Sequence, residues 1–216
     1  MDKRVTMTRD LFPERIETSR LVFERMSHDT VDPFELYEFV RRDEWHGETT
    51  EHMPWFRLDR LDQVAAFLDR AEQMRADHEG ARYLLRTNDE ERVIVGTTAY
   101  KPEWEQRRAG SDIVLAKRYW GREYGLERAS VFIELTFERY DLEAYCTSCA
   151  ADNEQSRRMI EKCIDRYGGR HEGLVRQHGS AHPNGDVTDQ HRFSITREEY
   201  ESETEDRETI AFEMDW

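Results

Sequence analysis

Cysteine is scarce in this chain, and its placement excludes the usual functions of cysteine clusters. The sequence holds three cysteines, too few for a disulfide framework. Cys146 and Cys149 lie three apart in a predicted strand, where side chains at that spacing point to opposite faces, and Cys163 has no fourth partner. We therefore expect buried thiols that act as small apolar side chains, no redox or zinc centre, and no bound metal.

Long apolar runs are absent as well. No segment approaches the roughly 20 apolar residues of a membrane-spanning helix. The N-terminal residues hold no apolar run of the kind that a signal peptide contains. We expect a cytoplasmic protein with no membrane partner.

Lysine occurs at four positions only, 3, 101, 117 and 162. Asp and Glu total 47 against 32 Lys and Arg, which gives a formal net charge of −15. Heat-adapted proteins enrich lysine together with glutamate, so this surplus of carboxylates instead indicates a halophilic protein from an acidic proteome, with an ordinary acidic enzyme as the alternative. Because nucleic-acid binding depends on cations that neutralise phosphates, the charge also argues against a nucleic-acid partner.

What is present is a mixed α+β pattern. Helical periodicity predicts helices at 34–40, 62–77 and 126–140 and after residue 153, and apolar or alternating runs predict strands at 20–26, 83–85, 93–100, 113–115, 142–150, 170–178 and 187–196. The polar stretch 101–110 is predicted to be a connection, and Asn184-Gly185 is typical of a hairpin turn.

This pattern fits one domain with two flanking segments. We predict a flexible N-terminal segment over residues 1–15, a single domain over 16–197, and a solvated acidic tail over 198–216. The last residues of that tail, 210–216, are apolar enough to dock on the domain.

The turn between residues 116 and 126 has the features of an anion site. The predicted strand 113–115 leads into a segment that contains Gly121 and Gly125, and a predicted helix follows directly. Backbone N–H groups and the helix dipole converge on such a point. The local charge is positive in an otherwise acidic chain, from Lys117, Arg118, Arg122 and Arg128.

Four motifs in this order resemble the GNAT superfamily of acyl-CoA N-acyltransferases, and within it the ribosomal-protein N-terminal acetyltransferase (Rim) type. They are residues 16–21 (IETSRL), 93–98 (VIVGTT), 119–125 (YWGREYG) and 152–156 (DNEQS). The resemblance spans about residues 16 to 175. It implies an α/β fold whose central, mostly antiparallel, twisted sheet is flanked by helices and splayed at the cofactor site.

The resemblance also implies acetyl transfer from acetyl-CoA to a primary amine, by direct attack in a ternary complex. The pyrophosphate would lie on the backbone amides of residues 121–126, and the pantetheine would run along Ile113, Val114 and Leu115. Asn153 and Ser156 would contact the pantetheine arm or the sulfur. The loop residues implied in cofactor binding are Arg118, Trp120, Gly121, Arg122, Glu123, Tyr124, Gly125 and Leu126.

The sequence departs from the family pattern at three positions. Glu123 stands where the family has a glycine, Gly110 where it has an acid, and Ile160 where many relatives have a tyrosine. Asp112 becomes the candidate general base, with a solvated strand-end charge as the alternative. Ser156 becomes the candidate proton donor to the thiolate, and Asn153 is assigned both to the helix cap and to the cofactor.

A site without a convincing base favours an acceptor that is partly neutral at pH 7, so we expect a protein or peptide N-terminal α-amine. Trp45, Trp55 and Phe56, in the aperiodic loop 41–60, are the candidate substrate wall, unless the loop folds onto its own aromatics. Two alternatives stay open: a small-molecule amine as acceptor, and a CoA-binding regulatory module with weak catalysis. A monomer or homodimer is expected.

Overall fold

The computed structural model describes residues 10–179, 187–205 and 210–216. In these ranges nine strands form one sheet in the order β7-β8-β6-β5-β4-β3-β2-β1-β9. The strands are β1 (Arg15–Glu17), β2 (Leu21–Arg25), β3 (Ala81–Thr87), β4 (Ile94–Glu103), β5 (Arg108–Leu115), β6 (Ala144–Ala150), β7 (Arg170–Val175), β8 (Gln190–Thr196) and β9 (Glu213–Asp215). Neighbouring strands are antiparallel, with β5 and β6 as the parallel exception.

Helices cover both faces of the sheet. They are α1 (Pro33–Val40), α2 (Asp43–His46), α3 (Leu61–Ala76), α4 (Tyr124–Glu134), α5 (Glu154–Arg166) and α6 (Arg197–Thr204). Strand side chains alternate between the two faces, so Leu84 and Val114 pack with α1 and α3, whereas Tyr83 and Leu85 pack with α4 and α5. Two apolar cores result. None of the helices in the described ranges has the length and apolar character needed to span a membrane.

The parallel pair β5 and β6 separates along its length. Only Arg108–Gly110 of β5 pair with Ala144–Cys146 of β6. Beyond this point β5 continues to Leu115 on β4, and β6 continues to Ala150 on β8. The sheet is therefore splayed at its centre, and one edge of β5 is left without a strand partner. This is the predicted fold class, a mixed α/β fold with a mostly antiparallel, splayed sheet.

Most predicted elements are confirmed, and the largest differences in extent are at residues 101–110 and at the end of α4. Residues 101–110 are not a loop, because β4 runs to Glu103 and β5 begins at Arg108, leaving a tight turn between them. The backbone of these residues pairs between β4 and β5 while their charged side chains stay solvated. The prediction of a loop was wrong because it was based on the polarity of the side chains. The helix predicted to reach residue 140 ends as an α-helix at Glu134 and continues as a π-helix over Leu135–Arg139.

Those parts of the two predicted flanking segments that the structure describes pack on the domain. Phe12 is fully buried and Asp10 binds Arg75 of α3, so residues 10–15 belong to the domain. Residues from 198 onward are not simply a solvated tail: α6 buries Tyr200, and β9 extends the sheet beside β1. The docking expected of residues 210–216 is confirmed by β9. The predicted turn at Asn184-Gly185 lies outside the described residues.

Candidate active site

The splay opens a cleft of about 600 Å³. Its walls are the free end of β5, the loop leading to α4, the first turns of α4 and α5, and the segment around residues 48–53. Eleven predicted cofactor or catalytic residues line it together: Ile113, Val114, Leu115, Trp120, Gly121, Glu123, Tyr124, Gly125, Leu126, Asn153 and Ser156. Segments that are distant in sequence thus meet around one concave surface.

The unpaired edge of β5 supplies backbone hydrogen-bond groups to the cleft. The Ala116 N–H donates to Val95 O at 3.0 Å, so this N–H faces β4. Because successive residues of an antiparallel strand alternate in direction, Val114 also faces β4, and the backbone groups of Ile113 and Leu115 face the cleft. The Leu115 carbonyl accepts from the Trp120 indole Nε1 at 2.7 Å. The free donors are therefore at residues 113 and 115.

The start of α4 leaves further donors open. Gly121 has φ 73°, and a side chain there would meet no atom within 4 Å. Glu123 precedes the helix with φ 62° and makes no side-chain cap. The N–H groups of Tyr124, Gly125 and Leu126 belong to the first turn, where a helix has no acceptor of its own. These donors and the helix dipole suit a phosphate, so the residues present fit a pyrophosphate group.

The first sequence motif holds this turn in place. Glu127 of α4 is buried and accepts hydrogen bonds from Thr18 Oγ1 at 2.6 Å and Arg20 Nε at 2.5 Å. Arg20 also donates from Nη1 to the carbonyl of Arg122 at 2.9 Å. The helix start is therefore fixed by residues from the segment between β1 and β2.

The carboxylate of Glu123 is turned onto the other helix. It accepts a hydrogen bond from Lys162 of α5, and this bond lowers the pKa of Glu123. Lys162 and Arg158 line the cleft from α5. The sequence analysis did not assign either cation to the site, although Arg158 and Lys162 lie four residues apart and therefore share one face of α5.

Arg118 and Arg122 are not among the cleft residues. Arg118 pairs with Glu44 and stacks over the Tyr119 ring at 4.8 Å, and Arg122 stacks over the same ring at 5.4 Å. Lys117 pairs with Glu48 at 2.5 Å. Lys117 and Arg118 of this turn thus form ion pairs with the acidic segment opposite.

Helix α5 begins with a closed cap. Asn153 Oδ1 accepts the Ser156 N–H at 3.0 Å. This is the cap that the sequence analysis assigned to Asn153, and Asp152 does not take that role. Asp152 is instead exposed at the cleft, where its carboxylate lies 3.6 Å from Nδ1 of His52. Asn153 and Ser156 therefore face the cleft with side chains rather than with free backbone donors.

Asp112 is held in ion pairs and is not a cleft-lining residue. Its carboxylate binds Arg82 at 2.9 Å and Lys101 at 2.6 Å. Burial raises the pKa of Asp112, but Arg82 and Lys101 outweigh burial and lower it to about 2. A carboxylate that holds its proton so weakly is a poor proton acceptor at pH 7. The arrangement therefore gives no support to Asp112 as general base.

The aromatic residues of loop 41–60 do not form a wall of the cleft. Trp45 and Phe56 are each only 1% exposed, and the Trp45 indole donates to the Phe56 carbonyl at 2.9 Å. Trp55 is 47% exposed but is not a cleft residue. The loop folds onto its own aromatics, which was the alternative interpretation. The cleft is faced instead by Glu48, Thr49, Glu51, His52 and Met53.

Burial raises the pKa of all three cysteine thiols, which disfavours the nucleophilic thiolate form. Cys149 and Cys163 are buried, and burial raises the pKa of their thiols to about 11 and about 12. One exposed group, His28 with Asp69 and Glu72, has the ligand types of a metal site. Its imidazole already bonds Asp69 at 2.8 Å.

The chain matches a sequence profile described as an acetyltransferase (GNAT) domain over residues 20–163. Among solved structures it is similar to a GCN5-related N-acetyltransferase from Brucella melitensis, with a TM-score of 0.73 and 18% identity over 90% of this chain and 83% of that one. It is also similar to the microcin C7 self-immunity acetyltransferase MccE in complex with acetyl-CoA and AMP (TM-score 0.70, 14% identity, 87% and 98% covered).

A third similar structure is a Vibrio cholerae protein provisionally described as a ribosomal-protein-serine acetyltransferase (TM-score 0.67, 19% identity, 84% and 97% covered). At these identities, structural similarity establishes the fold alone. No curated protein matches the sequence.

Proposed function

Since the chain belongs to the GNAT acetyltransferase family, we propose that it acetylates the α-amine of a protein or peptide N-terminus. As a family member it is an acetyl-CoA-dependent N-acetyltransferase. Acetyl-CoA supplies the acetyl group as a reactive thioester. The proposal concerns the acceptor and the residues that serve each reactant.

In this proposal the start of α4, the start of α5 and the free edge of β5 each bind a different part of acetyl-CoA. The first-turn N–H groups of α4 hold the pyrophosphate, with Gly121 leaving room for its approach. The backbone of Ile113 and Leu115 pairs with the pantetheine, and either N–H can polarise the thioester carbonyl. Asn153 and Ser156 contact the pantetheine arm from α5.

The observation that carries the choice of acceptor is the ion-paired state of Asp112. With this carboxylate bound by Arg82 and Lys101, the strand that holds the thioester offers no proton acceptor. An acceptor that is already neutral when it binds needs no base on this strand. An α-amine with a pKa of about 8 is roughly one tenth neutral at pH 7, whereas a lysine at about 10.4 is under ~0.1% neutral.

A polyamine is the second candidate, because the cleft is rimmed by carboxylates. Glu48, Glu51, Asp152 and Glu154 line it against the cations Arg158 and Lys162. Such a rim attracts a cation of either kind, a peptide N-terminus or a small amine with several charges. One similar structure is a chimera built from a spermidine N-acetyltransferase.

A thiol-release assay on matched acceptors separates these possibilities. We would compare a peptide with a free N-terminus and no lysine, the same peptide with a blocked N-terminus and one lysine, and spermidine, in high potassium chloride. The proposal expects turnover of the first peptide only. Its rate should rise with pH up to about 8 and then level off, as the α-amine becomes neutral.

Other outcomes would replace the proposal. Efficient acetylation of the lysine peptide with no activity on the free N-terminus would exclude an α-amine acceptor. Turnover of spermidine alone would assign the polyamine. Calorimetry with acetyl-CoA tests the third possibility, because binding without turnover of any amine would indicate a regulatory module.

A further inference from the structure

A hydrogen-bonded cluster of three polar side chains lies where β5 and β6 separate, beside the residues that line the cleft but not among them. The last pair between β5 and β6 joins Gly110 to Cys146, so Ser111 is the first residue of β5 beyond that pair. Ser111 Oγ is hydrogen-bonded to Nη1 of Arg128 and to the hydroxyl of Tyr145. Side chains of Ser111 and Ile113 share one face of β5, and Ile113 lines the cleft.

Arg128 is an unusual component of this cluster. It lies on α4 and is only 3% exposed. Among residues 10–179, 187–205 and 210–216, no carboxylate lies within ion-pair distance of it, and its Nε is buried without a hydrogen-bond partner. The equally buried Arg75, by contrast, is paired with Asp10 at 2.6 Å. A buried cation without a counter-charge is costly, and a group that becomes negative beside it would lower that cost.

The cluster also determines where the Ser111 hydroxyl can donate its hydrogen bond. A serine hydroxyl can accept two hydrogen bonds and donate one. Arg128 can only donate, so Ser111 accepts from it. When Tyr145 donates as well, the proton of Ser111 is left for a third partner. Tyr145 and Arg128 are buried, whereas Ser111 is partly exposed and shares its face of β5 with the cleft-lining Ile113. We infer that the third partner comes from that side.

We propose that Ser111 is a catalytic residue that donates a hydrogen bond to the CoA sulfur as it departs, and that Arg128 and Tyr145 are positioning residues for Ser111. The acceptor nitrogen forms the new carbon–nitrogen bond as the carbon–sulfur bond breaks, and the electron pair of that bond stays on sulfur. The nitrogen loses one proton to water, and the sulfur gains one from water. Ser111 and the charge of Arg128 stabilise the thiolate in between, whichever amine is the acceptor.

The thiol of bound CoA reports this directly, without turnover. We would titrate the enzyme–CoA complex and follow the ultraviolet absorbance of the thiolate. The proposal expects the thiol pKa of bound CoA to lie about one unit or more below that of free CoA, because a nearby cation favours the charged form. In Arg128→Met this shift should be lost, and in Ser111→Ala it should be reduced.

Kinetics supply the second readout. Ser111→Ala should lower kcat about tenfold with little change in the KM for acetyl-CoA, because the hydrogen bond forms as charge develops on sulfur. Ser130→Ala is the matched control, since Ser130 is buried on the same helix and is assigned no role in binding or catalysis. It should leave both the titration and kcat unchanged.

The proposal is overturned if bound CoA titrates like free CoA in the wild-type enzyme. It is also overturned if Ser111→Ala and Arg128→Met leave an observed shift intact. If Arg128→Met does not fold, Arg128→Lys is the substitute. It retains the charge and should keep most of the shift in the thiol pKa of bound CoA, but kcat should fall because Ser111 is no longer positioned by the guanidinium. Circular dichroism and acetyl-CoA affinity establish that each variant is folded and binds its donor.

Discussion

The two helices that enter the cleft begin in opposite ways. Helix α4 starts after Glu123, which sits at φ 62° and gives no side-chain cap, so its first-turn N–H groups stay open. Helix α5 starts at Asn153, whose Oδ1 occupies the Ser156 N–H at 3.0 Å. Both ends line the same cavity, but the cap of α5 occupies the Ser156 N–H, whereas no side chain caps the first turn of α4.

This difference assigns the two ends to different parts of one ligand. An uncapped N-terminus is suited to an anion, because its donors and dipole stay unsatisfied until the anion arrives. In a capped N-terminus the capping side chain already accepts a hydrogen bond from a first-turn N–H group. Such an end contacts a ligand through the side chains of its first turn. We infer that α4 holds the pyrophosphate of acetyl-CoA and that α5 holds the uncharged pantetheine arm.

The two ends also differ in what they cost the fold. A missing cap forgoes about 1 kcal/mol of helix stability. A non-glycine residue in the left-handed region adds about 1–2 kcal/mol. Helix α4 therefore begins at a locally unfavourable position, which the anchoring of Glu127 by Thr18 and Arg20 offsets.

The largest effect should come from closing the open end of α4 with a charge. In Gly125→Asp the new Cβ would lie 3.4 Å from the Met159 side chain, an ordinary contact. The carboxylate stabilises the first turn but occupies the donors and repels a phosphate. We expect acetyl-CoA to bind at least about 100-fold more weakly by calorimetry, and thermal unfolding establishes that the variant is folded.

The isosteric variant Gly125→Asn is the matched control. It adds the same volume without the charge, so affinity should fall by less than about tenfold. Equal losses in both variants would mean that bulk, not charge, is responsible. Wild-type affinity in Gly125→Asp would remove α4 from the pyrophosphate site.

A smaller effect should follow from opening the closed end of α5. Asn153→Ala removes the cap and should lower the free energy of unfolding by about 1 kcal/mol, measured by chemical denaturation. Asn153→Ser keeps a capping oxygen and should retain most of that stability. Because the amide is proposed to contact the pantetheine, both variants should bind acetyl-CoA several-fold more weakly. Full affinity in Asn153→Ser would restrict Asn153 to capping.

The sequence located both helix starts, for a physical reason. Caps, glycine turns and the strand before them are local features, since each depends on backbone conformation within a few residues. The family resemblance that these local motifs carry implied that residues 113–115, 121–126 and 153–156 face one cofactor, and the structure brings these three segments around one cleft. The splayed sheet was likewise an implication of that resemblance, and the separation of β5 from β6 confirms it.

Side-chain partners across the fold were not predictable in that way. Asp112 was the candidate base because it lies close to Gly110, where the family has an acid. Its ion pairs with Arg82 of β3 and Lys101 of β4 could not be predicted, because these residues are distant in the sequence. Trp45 and Phe56 lie in a loop without periodicity, so nothing in the pattern showed that they face the core. Arg128 fitted a positive turn in the sequence, and only packing shows that it lies beneath the sheet against Ser111.

The smallest predicted effect concerns Glu123, the residue that departs from the family at the open helix end. Its pKa is lowered by the hydrogen bond from Lys162, so its carboxylate is ionised at pH 7. Glu123→Gly would relieve the left-handed strain, remove a negative charge beside the pyrophosphate site and release Lys162. We expect acetyl-CoA to bind a few-fold more tightly, and the gain to shrink as potassium chloride is raised, because salt screens exposed charges.

Glu123→Gln separates the two causes, because it removes the charge and keeps the side chain at φ 62°. If repulsion limits binding, Gln should match Gly in acetyl-CoA affinity, while only Gly raises the Tm. If affinity does not change in either variant, the pairing with Lys162 already holds the carboxylate away from the anion. In that case the open end of α4 tolerates an acidic residue because α5 neutralises it, and the two helix starts are coupled rather than independent.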